Sequence, residues 1–170
     1  MNTSSDFINE LSRLKGMECW GVVAGKGTGS HITLHFGRKI ERPRPLNNPN
    51  LPDVLRKYRA EFLIFVQNCA WRLDSDKTLC TSKTPNDNDG LMATSVQSLV
   101  GRTVVESKTI PVSYDLIIEF SAGFTLRLFC DCFDQENDGF NFSFHVPTGV
   151  FSVCAGGVLI TEPKIEEPER

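Results

Sequence analysis

The sequence predicts an α+β, mainly β domain: antiparallel sheets built from two tandem helix-plus-meander units that share one core. Three observations predict it. First, His31-Ile32-Thr33-Leu34-His35-Phe36 alternates strictly between apolar and polar, the period of a half-buried strand. Second, the segments Asp115–Phe120, Phe124–Cys132, Phe140–Val146 and Val150–Ala155 are rich in β-branched and aromatic residues and are punctuated by Gly123, Asp138-Gly139, Pro147 and Gly149. Third, helical spacing is confined to short stretches, two of them closed by glycine.

The first helix is expected over Ser5–Leu14, where Phe7, Ile8, Leu11 and Leu14 make one stripe, with Ser4 or Ser5 as its cap and Gly16 as its stop. Cys19–Ala24 and His31–Phe36 follow as strands joined by a glycine-rich hairpin loop. Gly37–Asn50, with Pro43, Pro45 and Pro49 among four basic residues, reads as an exposed loop. Pro52 then opens a short helix bearing Val54, Leu55 and Tyr58. Phe62–Val66, Trp71 with Leu73, and Leu79–Thr81 return to strand composition, Trp71 and Leu73 facing inward and Arg72 outward. Ser82–Gly90 is a polar loop. A helix over Leu91–Val100 would bury Leu91, Val96 and Leu99 and stop at Gly101, and Thr103–Val105 opens the second set of strands.

The two halves match in order: helix, glycine, first strand, then an alternating strand ending in phenylalanine and glycine. Gly16 and Gly101 are 85 positions apart, and Ile32-x-Leu34-x-Phe36 stands 84 before Leu116-x-Ile118-x-Phe120. The expected organisation is therefore one domain over 1–160, with an internal repeat of 1–85 and 86–160, and a loose charged tail over 161–170. Neither unit of about 85 residues has many large apolar side chains to spare, which favours a shared core.

Composition narrows the function classes. The chain has 170 residues, 18 basic and 21 acidic, a net charge of -3 and 40% hydrophobic residues, which excludes a disordered chain, a collagen and a broadly basic nucleic-acid binder. Asp6, Asn9 and Glu10 interrupt the start before any secretory apolar stretch, and Val153–Ile160 is far too short to span a bilayer. A cytoplasmic, membrane-free protein with its six cysteines as free thiols is expected.

The chemical motifs fail one by one. Gly25-Lys26-Gly27-Thr28-Gly29-Ser30 lacks the Gly-Lys-Ser/Thr entry into a helix that cradles phosphate, and has Ser30 where a dinucleotide fingerprint needs its third glycine. Asp134 to Gly139 resembles the start of a calcium loop, but its twelfth position is His145 and strands flank it. Cys130, Cys132, His145 and Cys154 do not have the paired spacing of structural zinc, so no metal and no cofactor are expected. His31 and His35 share a strand face as half-exposed residues, and no serine-centred elbow is present. No enzyme is expected. What remains is charge: Arg38–Arg59 carries seven basic and two acidic residues, whereas Asp115–Asp138 carries six acidic residues and only Arg127. The basic run reads as a solvated loop and helix face. The acidic one, at Asp131, Asp134, Glu136 and Asp138, is the candidate docking loop for a basic protein partner.

Val66-Gln67-Asn68-Cys69-Ala70-Trp71-Arg72-Leu73, with Leu99-Val100-Gly101-Arg102-Thr103-Val104 and Asp115-Leu116-Ile117-Ile118-Glu119-Phe120, resembles a group of small bacterial proteins. The likeness spans Ile32 to Gly149 and consists of core and turn positions. Where such proteins tend to keep a late tryptophan, this chain has Phe140-Asn141-Phe142. Proteins of that kind resemble immunity proteins encoded beside secreted polymorphic or contact-dependent toxins. The resemblance implies a non-catalytic inhibitor that occludes a basic toxin domain, with no catalytic residues to carry over. The alternative reading is a small-molecule or peptide-binding module using a concave sheet face. Oligomeric state is not legible in the sequence.

Overall fold

The computed structural model describes residues 3–25, 27–87, 89–132 and 139–163. In the first half α1 (Thr3–Ser12) leads to β1 (Cys19–Val23), β2 (Ile32–Glu41), α2 (Asp53–Lys57), β3 (Tyr58–Val66), β4 (Ala70–Asp74) and β5 (Thr78–Thr81). The second half runs through α3 (Leu91–Gln97), β6 (Val104–Thr109), β7 (Leu116–Phe120), β8 (Thr125–Phe129), β9 (Phe140–Val146), β10 (Gly149–Cys154) and β11 (Val158–Pro163). The strands make two antiparallel sheets, ordered β1-β2-β3-β9-β10-β11 and β5-β4-β8-β7-β6. The mainly β, antiparallel class expected from the alternation is the one observed.

The chain changes sheets within each half. β1 to β3 lie in the six-stranded sheet and β4 and β5 in the other, while β6 to β8 lie in the five-stranded sheet and β9 to β11 return to the first. Each sheet is therefore completed by strands from both halves. Two main-chain segments join the sheets at a corner. Gly16 N–H donates to Val104 O, Cys19 N–H to Arg102 O, Gly101 N–H to Cys19 O and Val104 N–H to Met17 O, each at 2.8 Å. Gly16 and Gly101 sit at φ +84° and +83°, left-handed conformations that end the helical segments before these bonds form.

Alternation builds the core. Ile32, Leu34 and Phe36 of β2 pair with Val66, Ile64 and Phe62 of β3, and all six are buried. In the other sheet Leu116 and Ile118 pair with Leu128 and Leu126, again all buried. The sheets meet where Phe36 stacks on Phe120, ring centres 6.4 Å apart. The helices close the open sides. Phe7 of α1 meets Tyr114 edge-on at 5.9 Å and lies 5.6 Å from Phe151, and Met92 and Val96 of α3 are buried in the same core.

Several expectations are corrected. β2 continues past Gly37 to Glu41, because a bulge between Phe36 and Lys39, with Gly37 at φ +72°, lets the ladder resume, so the loop starts at Arg42. Leu91 is exposed, and the inward residue of α3's first turn is Met92. β8 ends at Phe129, not Cys132. Residues 161–163, expected as tail, are the end of edge strand β11, paired along β10 from Val158 to Pro163. Its residues are largely exposed, which is why they read as tail. Among the described residues no helix is long and apolar enough to cross a membrane.

Trp71 lies as expected: its side chain is 1% exposed, and its indole N–H donates to Ser30 O at 2.7 Å. Trp71→Ala is expected to lower unfolding free energy by about 3–5 kcal/mol in urea denaturation. A loss below about 1 kcal/mol would contradict the placement.

Candidate functional site

The acidic connection between β8 and β9 is anchored at both ends. Beyond Phe129, Cys130 N–H donates to Asp115 Oδ1 at 2.7 Å, and Cys132 N–H to Asn141 Oδ1 at 3.0 Å. Cys132 O accepts Gly156 N–H at 3.1 Å, and on the far side Gly139 O accepts Ala155 N–H at 2.8 Å. Asn141 is fully buried and also donates from Nδ2 to Cys154 O at 3.0 Å. An unpaired buried amide would be costly, so these bonds fix where the acidic connection leaves and rejoins the sheets. Sequence reasoning passed over Asn141; a polar residue between two phenylalanines of a strand is the signal that could have found it.

Of the four predicted partner-binding residues, Asp131 is exposed and accepts the Ala70 N–H at 2.9 Å, so it has a structural duty at the start of β4. Asp134, Glu136 and Asp138 lie outside the described residues, as does most of the calcium-loop mimic. From Leu128 to Pro163 the sequence holds Asp131, Asp134, Glu136, Asp138 and Glu162 and no lysine or arginine. Four of these five carboxylates belong to the connection before β9, and the strands β9 to β11 themselves carry only Glu162.

The basic segment is largely committed within the fold. Arg38 pairs with Glu61 at 3.1 Å, Arg56 and Lys57 with Asp53 at 3.3 and 3.6 Å, and Arg42 Nε donates to Tyr58 O at 3.3 Å. Lys39 sits over the Trp20 ring at 5.3 Å. Arg72 takes up the carboxylate partnership expected of an outward residue. It meets Asp74 at 2.9 Å, and Arg127 and the Thr78 hydroxyl close on the same carboxylate. Burial works against ionising Asp74, but the Thr78 hydroxyl and the two guanidiniums outweigh it and hold the carboxyl below its usual range.

The candidate nucleophiles and ligands do not converge. Among the described residues no group of three or more His, Cys, Asp or Glu side chains is placed to hold a metal ion. Cys130 faces the core, whereas His145 stands exposed on β9 and meets Ser143 Oγ at 3.1 Å. Burial pushes the thiols of Cys19 and Cys69 up to about 12 and that of Cys80 to about 11. His35, expected half-exposed, is 6% exposed. Trp20 lies 5.2 Å from its ring, and Leu55 of α2 packs over Gly21, the residue opposite it. Its Nδ1 contacts Gly21 O at 3.2 Å.

The glycine-rich loop is a hairpin connection, as read: Gly25, Gly27 and Gly29 have positive φ, and β2 rather than a helix follows. With the 42–57 connection and α3 it frames an open cleft of about 840 Å³ lined by Thr28, Asn48, Asn50 and Asp89. The inner sheet faces, by contrast, are filled with core. No protein family, curated protein or solved structure matches the chain.

Burial lowers the His35 pKa to about 4. The unfolded chain therefore binds a proton near pH 6.5 that the folded one refuses until about pH 4. Stability is full above pH 6.5 and falls as pH drops through this window, by on the order of 3 kcal/mol. His35→Gln is expected to flatten that part of the stability-against-pH curve in urea titrations. An unchanged slope would contradict the burial of a neutral His35.

Proposed function

We propose that this protein is a non-enzymatic binding protein of the immunity type, which neutralises a partner toxin by occluding its active site with the acidic connection after β8. The observation that carries this reading is the run from Leu128 to Pro163, with five carboxylates, no lysine or arginine, and a connection tied down at both ends. Anchoring limits the entropy lost when such a loop docks, and concentrated negative charge steers a basic surface toward it. The high thiol pKa values and the neutral, enclosed His35 support a role in binding rather than nucleophilic catalysis. The partner is a basic protein domain, met in the cytoplasm, and neither nucleic acid nor a membrane takes part.

The reciprocal bonds between Gly16–Cys19 and Gly101–Val104 support a further reading, that the halves 1–85 and 86–160 are copies of one unit within a single domain. Every donor and acceptor in one segment has its counterpart 85 positions along. The second functional reading, a small-molecule or peptide-binding module, is favoured by the cleft at Thr28, Asn48, Asn50 and Asp89. It would use that cleft rather than a concave sheet face.

The test is co-expression with the protein encoded beside this chain's gene. Binding and protection are expected for the parent. The combined change Asp134→Lys, Glu136→Lys and Asp138→Lys is expected to weaken binding at least ~10-fold, with most of the loss in association rate. Asp131→Asn, which keeps an acceptor for Ala70 N–H, is expected to have a smaller effect. Absence of complex and of protection with the parent protein would end the reading.

A further inference from the structure

We propose that Cys69 and Cys130 are a cross-strand dithiol, at which a small-molecule disulfide such as oxidised glutathione closes a bond between the two segments where the chain changes sheets. β4 and β8 pair with Ala70 opposite Phe129, Trp71 opposite Leu128 and Leu73 opposite Leu126. Cys69 and Cys130 each stand one residue beyond the last pair of that register, and its continuation would set them opposite one another. Trp71 turns its main-chain groups toward β5: its N–H meets Ser82 Oγ at 3.3 Å and its carbonyl accepts Ser82 N–H at 2.9 Å. Toward β8, Trp71 and Leu128 are therefore a non-hydrogen-bonded pair. Two residues on, the ladder has ended: Asp131 N–H turns back to Phe129 O at 2.8 Å, and Cys130 Sγ donates to Tyr114 O at 3.4 Å, a contact that the bond to Cys69 would replace. As proposed, the non-hydrogen-bonded class extends to Cys69 and Cys130. Such pairs hold their Cα atoms about 4.5 Å apart with side chains on one face, within the span a disulfide bridges.

Facing agrees with register. Trp71 and Leu128 point into the core, Cys69 is buried beside them, and Cys130 packs half-buried against the same cluster. All six cysteines are free thiols in this structure. Burial is the main influence that raises the Cys130 thiol and the Cys69 thiol is the next, as expected of neighbours.

Cys130, the more accessible, reacts first. Its thiolate attacks one sulfur of oxidised glutathione, expels one glutathione, which takes up the proton, and leaves a mixed disulfide. The Cys69 thiolate then attacks the Cys130 sulfur and expels the second glutathione. Two protein thiols are oxidised and one glutathione disulfide is reduced to two thiols. Because burial raises both thiols, the exchange is slow at neutral pH and accelerates as pH rises. The bond ties the β3–β4 crossover to the root of the acidic connection and closes a loop of roughly 60 residues in the unfolded chain, so it raises the melting temperature. This site does not depend on the binding role proposed above.

The experiment incubates the full-length protein with oxidised glutathione at about pH 8 and maps peptides by mass spectrometry without reduction. A Cys69–Cys130 link, the loss of two free thiols per chain and a higher melting temperature that reductant reverses are expected. In Cys69→Ala, Cys130 is expected to stop at the glutathione adduct, and Cys130→Ala is expected to leave Cys69 unmodified. Six free thiols after treatment would overturn the proposal, as would a Cys130–Cys132 link or a Cys69–Cys130 link that forms only in urea.

Discussion

The structure depends on four main-chain hydrogen bonds between Gly16–Cys19 and Gly101–Val104, all at 2.8 Å. They stitch the start of β1, at one edge of the larger sheet, to the start of β6, at one edge of the smaller. Each segment follows a glycine-terminated helical stretch, so the same bonds set where α1 and α3 enter the open sides of the sandwich. Phe7 from α1 and Met92 and Val96 from α3 then fill the space between the sheets. Breaking the stitch would expose two strand edges and loosen both plugs together.

The double change of sheet has an energetic consequence. The ladders β3·β9 and β4·β8 each join one half of the chain to the other. Between the sheets, Phe36 of the first half stacks on Phe120 of the second, and both belong to one core. Hydrophobic burial, the main favourable term, is thus collected only when both halves are in place. Charge is distributed along the same division. Three of the seven basic residues of 38–59 are ion-paired within the first half, whereas no lysine or arginine stands between Arg127 and Lys164.

Much of the fold was legible because period-two alternation is local. His31–Phe36 and Asp115–Phe120 declared their faces, and Trp71 and Arg72 went where that pattern sent them. What was not legible rests on contacts distant in sequence. The burial of His35 needs Trp20 and Leu55 around it, which no local pattern announces. β11 is an edge strand with exposed residues on both faces, so Thr161 to Pro163 carry no burial signal. α3 is only seven residues long, too short for its apolar stripe to choose Met92 over Leu91. At the candidate site the charge of the acidic connection was readable, but its fixing by Asn141 and Asp115 was not. The proposed opposition of Cys69 and Cys130 extends the register of β4 on β8 by one residue, and that register joins segments about 60 positions apart.

The most direct measurement is fragment complementation. Residues 1–85 and 86–170 would be prepared separately and followed by circular dichroism and amide exchange, alone and mixed. The account predicts that each fragment alone lacks protected amides and a cooperative thermal transition. It also predicts that an equimolar mixture regains both, with β-sheet signal and a one-to-one complex. A fragment that folds cooperatively as a monomer would contradict the claim that the two halves complete one another's sheets.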